Sequence, residues 1–264
     1  LEEILDVARV ILSLSFLLYA SWSDWKQREV SNKVWIIFAP LAFSLTITQF
    51  ALFAQDLLLT YLLSFAITSV MAVALFYAGA FGGADAKALM CIALALPTPV
   101  RLMSSVSLFL PIFPFTVFSN AVLLAALTAV YALFRNLVWR LRAEAGLLTG
   151  FENESVWRKI TVLITGYKVK PATLEKSPHS YPLEDIIVKE NGETQRKLLT
   201  FPKDETRETI VARILSASRD GKIQNGVWVT PGLPLLIFIT AGLIIALLAG
   251  DLVWIILRFF LASP

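Results

Sequence analysis

Apolar residues run in long blocks broken by short polar gaps. The blocks are Ile4 to Ser23, Val34 to Phe53, Leu57 to Ala78, Ala86 to Leu96, Ser107 to Leu133 and Leu233 to Ala249. Most approach the roughly 20 residues that a helix needs to cross a bilayer. The fourth, Ala86 to Leu96, is too short to cross alone and ends at Pro97-Thr98-Pro99. It is read as a half-helix or a tilted span shielded from lipid by protein. Pro111 and Pro114 predict a kink or an interfacial first turn in the fifth block. The apolar tail Leu252 to Leu261 either extends the sixth or lies in the interface.

The pattern changes between the fifth and sixth blocks. Residues 143–230 hold twelve of the twenty acidic residues and thirteen of the twenty-three basic ones. This has the character of a water-soluble insertion. Ser155 to Thr165 has helical spacing, with Gly166 placed to close it. Ile186-Ile187-Val188 and Lys197-Leu198-Leu199 flank Asn191-Gly192 and predict a β-hairpin. Asp204 to Ser218 reads as a capped amphipathic helix, and Val227-Trp228-Val229 as a strand.

Composition agrees with the apolar pattern. Hydrophobic residues make up 57% and charged residues 16%, against about 45–50% and about 25% in soluble domains. The expected fold is mainly α: a polytopic membrane protein of about six transmembrane helices, one of them short, plus a small α+β cytoplasmic domain. The expected divisions are a membrane domain over 1–142, the insertion over 143–230, and a last span and tail over 231–264. Acidic Glu2 and Glu3 precede the first block, Asp6 lies near its start, and Trp22 and Trp25 close it, the reverse of a cleaved signal peptide. It is read as a retained span with an aromatic interfacial anchor. The sequence starts at Leu1, so an initiator methionine is read as lost or omitted.

The net charge of +3 is not gathered into a basic patch, so no nucleic-acid partner is expected. The single Cys91, inside an apolar run, is read as a buried thiol. The loop after the first block, the Gly82 loop and the insertion share one side by parity. That side carries Lys26, Arg28, Lys33, Lys87, Arg135, Arg140 and Arg142, against Arg9, Arg101 and Arg258 on the other. The positive-inside rule then places it in the cytoplasm of a multi-pass cell-membrane protein.

Outside the insertion acids are few. Only Asp24 and Asp85 sit where an apolar block meets the cytoplasmic face. A carboxylate there is costly and points to function. Two carboxylates close together do not both ionise readily, so the pair holds an acid and a base at once. One can take a proton from water while the other stabilises the oxyanion of an attacked peptide carbonyl. Gly82 and Gly83 would let backbone approach closely and take φ > 0. Taken singly, Asp85 also reads as a helix cap, Asp24 as a salt-bridge partner of Lys26 or Arg28, and the glycines as helix-packing sites. Asp251 is read as an interfacial stop, and His179, the only histidine, as a solvated loop residue. No His/Cys/Glu cluster suggests a metal, no cofactor motif appears, and no Gly-x-Ser-x-Gly elbow or P-loop occurs.

Two stretches resemble type IV prepilin peptidases, and more closely the archaeal preflagellin peptidases. One is Asp24-Trp25-Lys26-Gln27-Arg28-Glu29-Val30-Ser31-Asn32; the other, Gly82-Gly83-Ala84-Asp85-Ala86-Lys87, is similar to the family's Gly-x-Gly-Asp-x-Lys. The resemblance implies a membrane aspartyl endopeptidase with Asp24 and Asp85 as the catalytic pair. Lys26, Asn32, Gly82, Gly83, Ala84 and Lys87 would shape its site. The implied partner is a preflagellin or pilin-like precursor with a basic leader and a hydrophobic helix, met within membrane lipid. Ala84 departs from the pattern, standing where the family has its second glycine; alanine takes φ > 0 only at a cost. The paired Cys-x-x-Cys motifs of many bacterial relatives are absent, as is the Pro-Ala-Leu element of presenilin-type proteases. The rival readings are an ion-coupled transporter using the two aspartates and a membrane scaffold.

Overall fold

The computed structural model describes all residues except 101–111, 143–145, 178–179, 189–193, 200–204, 224–225, 233 and 262–264. Pro111, His179, the Asn191-Gly192 turn and Asp204 therefore lie outside the described residues. The chain divides into two units, Leu1–Ala125 with Pro234–Pro264, and Ala126–Leu233.

The first unit begins with α1 (Glu2–Gln27) and α2 (Asn32–Phe53). A 3-10 turn, Gln55–Leu57, leads into α3 (Leu58–Tyr77). The short α4 (Gly83–Ala95) follows, then α5 (Phe113–Arg142), inside which the division between units falls. α9 (Leu235–Ala249) and α10 (Leu252–Leu261) close the chain. Among the described residues, α1, α2, α3 and α5 are long and apolar enough to cross a membrane. The bent pair α9 and α10 makes a fifth if counted as one span. With α4 these account for the six apolar blocks of the sequence.

α4 is the inner element of this unit. Ala88, Leu89, Ile92, Ala93 and Ala95 are wholly buried. Ile92 packs in one cluster with Leu17 of α1, Phe38 of α2 and Leu243 of α9. Apolar burial does not drive helices together in lipid, so close packing and polar contacts must do so. Gly242 supplies the first: a Cβ there would meet the Val117 carbonyl oxygen at 2.6 Å, so α9 and α5 approach backbone to backbone. Ser21 supplies the second, donating from Oγ to the Leu236 carbonyl at 3.0 Å and pairing with Thr240 Oγ1 at 2.7 Å.

The tail does not continue the last helix in a straight line. α9 and α10 meet at 56°. Asp251 sits between them, buried, and caps α10 by accepting from the Val253 and Trp254 amides. Asn120 completes the joint, donating to the Gly250 carbonyl and accepting from the Leu252 amide. Asp251, read as an interfacial stop, is a buried helix cap.

The second unit carries α6 (Val156–Thr165), β1 (Tyr167–Val169), α7 (Pro171–Lys176) and β2 (Ser180–Pro182). These are followed by β3 (Glu184–Val188), β4 (Thr194–Leu198), α8 (Arg207–Arg219) and β5 (Val227–Pro231). Ser155 caps α6 by accepting from the Arg158 amide, and Gly166 ends it. A Cβ at Gly166 would stand 2.4 Å from Leu183 and 2.8 Å from the Val229 carbonyl oxygen, so only glycine fits. β5 is the centre of a three-stranded antiparallel sheet ordered β1-β5-β2, with Lys168 opposite Trp228. β3 and β4 form the expected antiparallel pair, with Ile186 opposite Arg196. α8 buries Ile210, Val211 and Ile214 against this unit's core.

Candidate active site

Asp24 lies in the last turn of α1. It is half-buried, and its carbonyl accepts from the Arg28 amide at 2.9 Å. Arg28 is the C-cap and takes φ 58°, the only described non-glycine residue with positive φ. That left-handed turn reverses the chain toward α2. Ser23 reinforces it, donating from Oγ to the Glu29 carbonyl at 2.9 Å. Neither Lys26 nor Arg28 forms an ion pair with Asp24; Lys26 lies over the Trp22 ring, 5.2 Å from its centroid.

Asp85 is the third residue of α4 and is buried. Its Oδ2 accepts from the Gly82 amide at 2.9 Å, so it also serves as a first-turn cap. Neither glycine takes φ > 0, and of the two only Gly82 stands in a tight place. Gly82 has φ −74° and ψ 160°, and Gly83 begins the helix. A Cβ on Gly82 would stand 3.0 Å from Asp85 Oδ2. The positive φ in this loop belongs to Gly79, at 74°, which the motif does not contain.

Asp24 and Asp85 line one cavity of about 320 Å³. Gly82, Gly83 and Ala84 form its α4 side; Arg28, Glu29 and Val30 form its α1 side. Asn32 and Lys87 stand outside the lining but join the two stretches, Lys87 Nζ donating to Asn32 Oδ1 at 2.7 Å. Of the residues singled out in the sequence, only Lys26 neither lines the cavity nor joins this bond. Arg28 and Val30 belong to the stretch named in the sequence but were not expected to line the site; the left-handed conformation that turns this stretch into a wall has no side-chain signature at an arginine. Among the described residues no group of His, Cys, Asp and Glu is arranged to hold a metal ion.

A further polar cluster fixes the far end of α4. Asp6 and Arg9, spaced i,i+3 on α1, form a buried ion pair, and Gln49 of α2 donates to Asp6 Oδ1 at 2.8 Å. Arg9 Nη1 and Thr46 Oγ1 both donate to the Ala95 carbonyl, at 3.2 and 3.1 Å. Ser64 of α3 donates to the Pro97 carbonyl at 2.7 Å. Carbonyls that the end of α4 leaves unpaired are thus held by three neighbouring helices. Asp6 and Arg9 were read as flanking residues; they are 1% and 3% exposed. The signal was present as an acid and a base spaced i,i+3 within the first apolar block.

A family model described as the type IV leader peptidase family matches residues 11–134, which contain both aspartates and the whole cavity lining. A second, described as the archaeal peptidase A24 C-terminus, type II, matches residues 158–252. The chain belongs to the type IV leader peptidase family. It is 26% identical over 251 residues to a preflagellin peptidase of Methanococcus voltae, covering 91% of this chain and 94% of that one. It is 23% identical over 244 residues to a preflagellin peptidase of Methanococcus maripaludis, covering 89% and 92%. Membership of this leader peptidase family makes the chain a protease. It also gives the departure at Ala84 a physical reading: residue 84 lies inside α4, without positive φ, where alanine is favoured over glycine.

Proposed function

We propose that the chain is a membrane aspartyl endopeptidase that removes the short basic leader from preflagellin or pilin-like precursors at the cytoplasmic face. The observation that carries this reading is the single cavity lined by Asp24 and Asp85. The ionised carboxylate takes a proton from water as the water oxygen bonds to the scissile carbonyl carbon. The protonated carboxyl donates to the developing oxyanion. When the carbon–nitrogen bond breaks, the departing amine takes up a proton from the pair. The two aspartates titrate as one unit, so either can hold the shared proton first.

Charge supports the choice of substrate. Asp24, Asp85 and Glu29 face the cavity against the one cation Arg28, an acidic site suited to a basic leader. The pilin-like hydrophobic helix would lie in lipid beside α1 and α3. The basic residues Lys26, Arg28, Lys33 and Lys87 on this side favour a cytoplasmic orientation. The test is co-expression with a preflagellin and detection of leader loss by gel shift. Wild type should process the precursor, while Asp24→Ala and Asp85→Ala should accumulate it at equal expression. Normal processing by either variant would remove the assignment.

A further inference from the structure

Arg28 closes α1 in a conformation that ordinarily calls for glycine. Its φ of 58° and ψ of 19° are left-handed, at a helix end where a residue without a Cβ is favoured. No other described non-glycine residue has positive φ. The turn does not use the side chain. It is closed by the Arg28 amide on the Asp24 carbonyl and by Ser23 Oγ on the Glu29 carbonyl. Glycine would make the same turn at lower cost, so an arginine held there points to a task for its side chain.

No contact within the fold supplies that task. Arg9, Arg196 and Arg213 each hold a carboxylate. The Arg28 guanidinium forms no hydrogen bond or ion pair among the described residues, and its Nε is buried without an acceptor. Yet Arg28 lines the cavity that Asp24, Glu29 and Asp85 also line. Of the side chains around that cavity it is the only permanent donor. The carboxylates accept, while Val30, Ala84 and the two glycines carry no polar side-chain atom.

A peptide entering such a cavity brings a carbonyl oxygen with every residue, and each one that loses water needs a donor. The protonated carboxyl of the pair serves the scissile carbonyl alone. A planar guanidinium, with five N–H groups and a fixed charge, suits the carbonyl beside it. The same cation repels a basic leader side chain, so the main chain is the part of the leader that Arg28 fits.

We propose that Arg28 is a substrate-binding residue: its guanidinium donates to a main-chain carbonyl oxygen next to the scissile bond and holds the precursor against Asp24 and Asp85. This rests on the leader-peptidase reading above and adds the group that grips the peptide backbone.

The test is steady-state cleavage of a preflagellin by the full chain in detergent, comparing wild type, Arg28→Gly, Arg28→Lys and Asp24→Ala. Arg28→Gly keeps the left-handed turn, so it should unfold no lower than wild type. Its KM should rise about tenfold, the loss of one charge-assisted hydrogen bond, with a smaller change in kcat. Arg28→Lys keeps a charged donor and should recover part of the KM. Wild-type KM in Arg28→Gly, a fall in kcat alone, a lower unfolding temperature, or no recovery in Arg28→Lys would each overturn the assignment. Asp24→Ala reports on the protease reading separately. If it is inactive while Arg28→Gly behaves as wild type, only the role of Arg28 fails; if it still cleaves, the two-carboxylate reading fails.

Discussion

Lys87 donates a 2.7 Å hydrogen bond from Nζ to Asn32 Oδ1, joining two stretches 55 residues apart. Asn32 opens α2, eight residues after Asp24; Lys87 lies two residues after Asp85. The bond therefore clamps the two walls of the aspartate cavity without entering it. Asn32→Ala and Lys87→Met should each lower the rate of leader cleavage about two- to tenfold, the range for one modest hydrogen bond. The double variant should lose no more than the worse single one, because both remove the same contact. Initial cleavage rates of the four proteins check this.

The Asp6–Arg9 pair anchors the opposite end of the helix that bears Asp85. Arg9→Met leaves the Asp6 charge buried without its partner, which should cost about 3–5 kcal/mol. Adding Asp6→Asn should recover part of that loss by removing the stranded charge. Thermal unfolding in detergent measures both steps, and recovery in the double variant separates a charge effect from lost packing.

Gly82 and Ala84 should respond in opposite ways. Gly82→Ala puts a Cβ 3.0 Å from Asp85 Oδ2 and should displace that carboxylate, lowering cleavage while the protein still folds. Ala84→Gly restores the family pattern at a helical position. It should cost about 0.5–1 kcal/mol of stability and give no gain in cleavage rate. A large gain would mean that residue 84 needs glycine's backbone freedom after all.

Lys168 gives the second unit a pH signature. Burial, with repulsion from Arg196 and against the pull of Glu184, brings its ammonium down to about 8. Below pH 8 both folded and unfolded chains hold the proton, and the full penalty is present. Between about 8 and the ordinary lysine value of about 10.4 only the unfolded chain holds it, so stability rises with pH. Wild type should gain stability over that window relative to Lys168→Met. Parallel pH profiles for the two proteins would contradict this.

Much of the molecule was legible before any coordinates. Block lengths marked the spans, and Ser155, Gly166 and the 227–229 run marked elements of the second unit because their cues are local. Asp24 and Asp85 stood out because carboxylates are rare beside apolar blocks. What escaped the sequence depended on partners distant along the chain. Asp6 looked like a flank until Gln49 and Ala95 surrounded its ion pair. Nothing local to Asp251, read as an interfacial stop, showed that it caps α10 at a 56° joint. Gly82 and Gly83 looked like sources of φ > 0, when the reason for Gly82 is an oxygen 3.0 Å from a missing Cβ.

The most direct measurement is the single-turnover cleavage rate of a preflagellin by wild type, Asp24→Asn, Asp85→Asn and the double variant, each shown to be folded. If the two carboxylates work as one acid–base unit, all three variants should fall to the same background, since groups acting together are not additive. A single variant that still cuts near the wild-type rate, or a double variant far slower than both, would contradict a shared site.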